Sequence, residues 1–204
     1  MTAKNTTEKN TSAGFTIIEM VVSVGIFSMV FVSVSGAFIS VMDAYQKVTT
    51  TRTNVDNLTT AMESMTRGIK TGTNYHCGNG DFTVAQDCLS GQTFAFKNIN
   101  ITQRQFGTIN DPIVYRLSGG RIERSDAGGT AGTFYPITVA PPALTINSFS
   151  FYVVGSTPYT DTTPDVLQPR VTIMVKGTVG VKQNITVPFS LQTSISQRLL
   201  DISD

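Results

Sequence analysis

From Phe15 to Met42 the chain runs for 28 residues in which the one charge is Glu19. Wound as a helix, such a run spans about 42 Å, more than the ~30 Å of bilayer hydrocarbon. Apolar residues then thin out to one face. Val55, Leu58, Met62, Met65 and Ile69 recur at spacings of 3 and 4, while Lys47, Arg52, Asp56 and Glu63 occupy other faces. Tyr45 and Val48 lead into this stretch. The first proline is Pro112, and stop signals begin only at Gly68, Gly72 and the run GTNYHCGNGD. The pattern predicts one helix from about Phe15 to about Ile69, on the order of 80 Å long. Without charged pairs flanking it, the apolar face is expected to pack on the chain's own sheet rather than in a coiled coil.

From Gly91 onward the helical period disappears and alternation replaces it. Strands are predicted in TFAFKNINI (Thr93–Ile101), LTINSFSFYVV, RVTIMVKG and NITVPFSLQTSI. The stretch PIVYRLSGGRIERS reads as a hairpin turning at Gly119-Gly120. Gly- and Pro-rich loops separate them, notably SDAGGTAGT and VGSTPYTDTTPD. Strands in succession after a single helix predict an α+β fold in which an antiparallel sheet packs on that helix. At 204 residues there is room for one compact domain and an extension.

Charge excludes some functions. The formal net charge is +1 and charged residues are 14% of the chain, so no global field draws nucleic acid or an anionic surface. Lys97, Arg104, Arg116, Arg121 and Arg124, with Tyr115 and Phe106 among them, read as scattered surface cations, which argues against nucleic acid as a partner. The two cysteines, Cys77 and Cys88, stand eleven apart. A pair this isolated suits a disulfide in an oxidising compartment, or two thiols that never meet, better than a zinc site. His76 is the sole histidine, with Asp81 and Asp87 nearby, but adjacency to Cys77 does not set a base against a nucleophile. Asp161 and Asp165 offer two oxygens where calcium takes six to eight, so a solvated turn is the default. No enzyme, metal site or cofactor is expected.

Glu19 demands a reason. An unpaired carboxylate costs roughly 2.5–3.5 kcal/mol near a bilayer centre, and less at its edge. A secretory signal, for which Ser35-Gly36-Ala37 is a loose cleavage site, has no use for one, and neither has a plain signal anchor. The polar stretch ahead of the run carries Lys4 and Lys9 against Glu8, which favours a cytoplasmic amino terminus.

The residues Gly14-Phe15-Thr16-Ile17-Ile18-Glu19 closely resemble the class III signal of type IV prepilins and type II secretion pseudopilins. That resemblance implies cleavage between Gly14 and Phe15 by a prepilin peptidase, and N-methylation of Phe15. It implies that Glu19 pairs with an N-terminal amine, often a neighbouring subunit's, during assembly. Residues 1–14 are then a cleaved leader, 15–42 the membrane and assembly half of the helix, 43–70 its amphipathic half, and 71–204 a β-rich head. Many type IV pilins carry a proline where this chain has Gly36. With Gly25, that glycine is expected either to loosen the helix or to let helices pack closely.

Further matches are shorter. Tyr115-Arg116-Leu117 with Gly119-Gly120-Arg121, the helix stretch TAMESMTRGI, and QTSISQR resemble J-type minor pseudopilins and minor pilins. The family implies other pilin or pseudopilin subunits, the peptidase, an inner-membrane assembly platform and the cytoplasmic membrane as partners. It also implies a single-pass inner-membrane location with the head outside the cytoplasm, followed by a place in an extracytoplasmic filament. The rival reading is a signal-anchored β-domain, an adhesin or receptor, that never assembles.

Overall fold

The computed structural model describes residues 14–157, 167–182 and 185–198. Residues 1–13 of the leader and the Asp161/Asp165 loop lie outside the described residues. One helix, α1 (Ile17–Lys70), leads into nine strands: β1 (Thr73–Cys77), β2 (Cys88–Gly91), β3 (Thr93–Lys97), β4 (Ile113–Ser118), β5 (Arg121–Ser125), β6 (Phe134–Pro136), β7 (Leu144–Val154), β8 (Arg170–Lys182) and β9 (Ile185–Ser196). The chain divides into two compact units at Tyr45/Gln46.

In the first unit α1 continues unbroken through Gly25 and Gly36. Its apolar side chains are exposed in the single chain. Ser28, Ser33, Ser35 and Ser40 each donate a hydroxyl hydrogen bond to the carbonyl four residues back, at 2.7–3.1 Å. A hydroxyl satisfied by its own helix needs no water, which suits a segment that is to lie in hydrocarbon.

In the second unit the predicted helix face is the buried one. Leu58, Met62, Met65 and Ile69 join Phe94, Phe96, Tyr115, Phe149, Phe151 and the β8 valines in one cluster, with Val55 packed against it. The expected single sheet is in fact two antiparallel sheets. One has the order β1-β3-β4-β5-β6, the other β2-β7-β8-β9. They meet through aromatic rings: Phe94 of the first stacks on Phe151 of the second, centroids 4.8 Å apart. The first sheet ends because β6, not β7, takes the free edge of β5; β2, which lies between β1 and β3 in sequence, joins the second sheet by pairing with the distant β7, Cys88 opposite Val153 and Gly91 opposite Phe151. Both glycines of the β4–β5 turn have positive φ (54° and 71°), as a two-residue hairpin of right-handed twist requires.

The end of α1 is tied to the residues that follow it and to two distant segments. Its last four carbonyls have no helical partner, and each finds one. Thr71 donates to Arg67 O (3.2 Å) and Asn98 Nδ2 to Gly68 O (2.7 Å). The Tyr75 hydroxyl donates to Ile69 O (2.7 Å), and the Arg198 N–H to Lys70 O (2.8 Å). Burial pushes the Tyr75 hydroxyl pKa up, so it stays a donor.

Arg104 organises the loop between β3 and β4. Its guanidinium donates to the carbonyls of Asn98, Ile101, Ile109, Asp111 and Asp126 at 3.0–3.2 Å, using all five of its N–H groups. Lysine has three donors on a flexible stem. Arg104→Lys is therefore expected to cost roughly 2–3 kcal/mol, read as a lower urea midpoint of the full chain in detergent at unchanged slope.

Candidate processing and assembly site

The site is the start of α1. Gly14, Phe15 and Thr16 precede the first helical residue, all exposed, with Phe15 at 80%. Thr16 is the N-cap: its Oγ1 accepts the Glu19 N–H at 3.3 Å, and its carbonyl accepts the Met20 N–H at 3.2 Å. Glu19 stands three residues after that cap, in the first turn. There the unpaired N–H groups carry positive partial charge, so a carboxylate is favoured. Thr16-Ile17-Ile18-Glu19 thus has the T-x-x-E spacing of a capping box. The sequence reading missed Thr16, although this spacing was the signal for it.

The geometry separates two jobs for one short stretch. Thr16 starts the helix one residue after Phe15, which leaves the Gly14–Phe15 peptide in non-helical, accessible chain. Glu19 presents its charge one turn further in, among Ile17, Ile18, Met20, Val21 and Val22, all more than half exposed. Such an apolar surround strengthens any charge pair formed there once lipid or other helices exclude water. Thr16→Val is expected to lose about 1 kcal/mol of cap. Amide exchange at Glu19 and Met20 in detergent should then be about 5-fold faster.

The other candidate residues do not gather into a site. Cys77 and Cys88 are joined by a disulfide that links β1 of one sheet to β2 of the other. A Cβ at Gly91 would collide with the Cys77 sulfur, so that close approach requires glycine. The sulfur beside His76 is therefore not a thiol. His76 itself is buried, its Nδ1 2.8 Å from Val84 O and its Nε2 without a hydrogen-bond partner among the described residues. Thr83 holds the Asp81 carboxyl below the usual range, through its hydroxyl at 2.6 Å and its N–H at 2.9 Å. Asp87 accepts the N–H groups of Gly155 and Ser156. Among the described residues no group of three or more His, Cys, Asp or Glu side chains is arranged to hold a metal.

Nor do Arg104, Arg116 and Arg124 form a track. Arg104 serves carbonyls, Arg116 pairs with Glu123 at 2.9 Å and lies over the Phe134 ring, and Arg124 pairs with Asp126 at 2.6 Å. Their apparent spread along the sequence is internal bracing.

A helix whose first part is long and apolar enough to cross a membrane, packed further on against antiparallel sheets, is a pilin-like α+β architecture. Residues 9–35 match the prokaryotic N-terminal methylation motif, the class III signal of type IV pilins, so the chain carries the signal of a pilin- or pseudopilin-like prepilin substrate. That match straddles Gly14 and Phe15 and ends inside the apolar helix. No curated protein and no solved structure matches the chain.

Proposed function

We propose that the chain is a structural subunit, of the minor pilin or pseudopilin kind, in a type IV pilus-like filament or a type II secretion pseudopilus. Residues 1–14 are a cytoplasmic leader that a prepilin peptidase removes after Gly14, and the freed amine of Phe15 is methylated. Residues 15–42 then cross the cytoplasmic membrane and, on the assembly platform, pack among like helices with Glu19 against an N-terminal amine. Residues 43–70 carry the helix into a head, 71–204, held outside the cytoplasm. The work is mechanical: the exposed apolar surface of α1 supplies cohesion when buried, and the charge pair sets its register. No residue is assigned a catalytic or cofactor role, in keeping with a bonded Cys77 and a buried His76.

One observation carries the reading: the methylation motif at 9–35 spans a capped helix start and the first part of an apolar helix, four of whose serines satisfy their hydroxyls within the helix. Amino-terminal mass spectrometry of the membrane-extracted protein tests it. The expected chain begins at Phe15 and carries one extra methyl group. A chain that keeps its leader, or begins near Ala37, would replace the filament subunit by a signal-anchored β-domain.

A further inference from the structure

The side chains of Glu63 and Arg67 on α1 lie off its buried face, on open surface, and have no part in processing. Beside them, the flank of the helix toward the five-stranded sheet is short or polar: Asn57, Ala61, Ser64, Gly68 and Thr71. These side chains leave two adjoining clefts, of about 340 Å³ and about 460 Å³, and Ser64 and Arg124 line both.

Arg124, on β5, has a side chain only 15% exposed. Its Nε donates to Asp126 Oδ1, while Asp126 Oδ2 accepts the Tyr135 hydroxyl at 2.7 Å and the Gln105 N–H at 3.1 Å. Asp126 thus accepts three hydrogen bonds within the head, and it lines neither cleft. The two Nη groups of Arg124 donate no hydrogen bond among the described residues. Tyr115 borders the smaller cleft, and burial pushes its hydroxyl up to about 12, so it remains a donor at neutral pH. Arg67 and Asn100 border the larger. The Arg67–Glu63 pair, 3.6 Å apart on open surface, holds Arg67 only weakly. Among the described residues no Asp or Glu lines either cleft. Two guanidinium groups and several uncommitted donors face a recess that holds no anion of its own.

The geometry points to a carboxylate-binding cleft, formed by Arg124, Arg67 and Ser64, that receives an acidic side chain of another protein subunit. A half-buried guanidinium rewards a carboxylate more than an exposed one does, because fewer waters screen it and paired N–H groups meet both oxygens. A tethered acid is favoured over a free ion. Asp126 and Glu63 already offset the two positive charges, so the net field draws diffusing anions feebly. A subunit docked through its helix delivers its acid at millimolar effective concentration. Nucleic acid fits poorly, since a phosphate backbone needs a series of cations along a track. This inference rests on the chain assembling with other subunits, as proposed above.

The test places one photocrosslinking residue at Ser64 and another, separately, at Val30 in the full chain in its cells. The Ser64 probe is expected to link to a second polypeptide within a few residues of an Asp or Glu. Arg67→Glu should cut that yield by at least about 10-fold while leaving the Val30 links intact, and changing the contacted acid to Lys should restore it. Val30 links without Ser64 links, or Ser64 links indifferent to Arg67→Glu, overturn the cleft and leave the filament reading standing. Loss of both probes' links overturns both. Succinate bound by the full chain in detergent below ~1 mM, and lost in Arg67→Glu, overturns the tethered acid in favour of a free carboxylate. Arg67 is exposed, so an unchanged thermal transition confirms that its variant is folded.

Discussion

Glu19→Ala is expected to leave the cut at Phe15 intact and to lower recovery in filaments at least about 10-fold. On the proposed reading the cut lies in chain ahead of Thr16, outside the turn that Glu19 occupies, so processing should not need the carboxylate and assembly should. At an effective dielectric near 20, opposite charges about 4 Å apart attract by about 4 kcal/mol, and about 1.4 kcal/mol is already a factor of ten. An amine left unpaired among apolar helices also keeps its desolvation cost.

The capping geometry dictates the control. Glutamine serves at the third position of a capping box almost as well as glutamate, so Glu19→Gln keeps the cap and removes the charge. If Glu19→Gln fails like Glu19→Ala, charge is the working quantity. Normal filament recovery of Glu19→Gln, measured by immunoblot of sheared filaments, would reduce Glu19 to a helix cap.

The largest loss of stability is expected at Phe151. Its ring stacks on Phe94 at 4.8 Å and meets Phe149 edge-on at 4.6 Å, and it is fully buried where the two sheets join. Truncating a buried phenylalanine costs roughly 3–5 kcal/mol, because the lost transfer energy is joined by a cavity that neighbours only partly fill. Here the cavity's walls belong to different sheets, so collapse into it would have to move one sheet against the other. Set against a total of about 5–15 kcal/mol for a typical domain, Phe151→Ala should sharply lower the urea midpoint of the head. Leu89→Ala, at a residue 76% exposed, should shift it by no more than about 0.5 kcal/mol. Equal effects at both positions would mean that the sheets are not joined through this ring.

Several elements were plain in the residues. The uninterrupted run, the face of Leu58, Met62, Met65 and Ile69, and the turn at Gly119-Gly120 all appear where the pattern put them. Each rests on neighbours a few positions apart, where periodicity and backbone freedom act directly. Three strands went unread. β1 (TNYHC) has the composition of a loop, β2 is four residues with two exposed, and β6 is three residues ending in proline. None has an alternation strong enough to declare itself; each is a strand because a partner elsewhere supplies its hydrogen bonds. Arg104 and Arg124 misled for a related reason. A cation in a polar stretch reads as surface until the carbonyls and the carboxylate that surround it are brought in from as far as 22 residues away.

From the order of residues alone came everything short in range: an apolar helix with an acid in its first turn, a signal to cut ahead of it, and a head rich in strands. Folding added what depends on meetings between distant parts. It ended the first sheet at β6 and joined β2 to β7 in a second, closed the Cys77–Cys88 bond between them, brought Asn98 and Arg198 to the last carbonyls of α1, and set Arg124 beside the flank of the helix. The reason is one of distance along the chain. A helix turn or a tight hairpin answers to residues within four places, whereas a strand's partner or an arginine's acceptor is chosen only when the whole core closes.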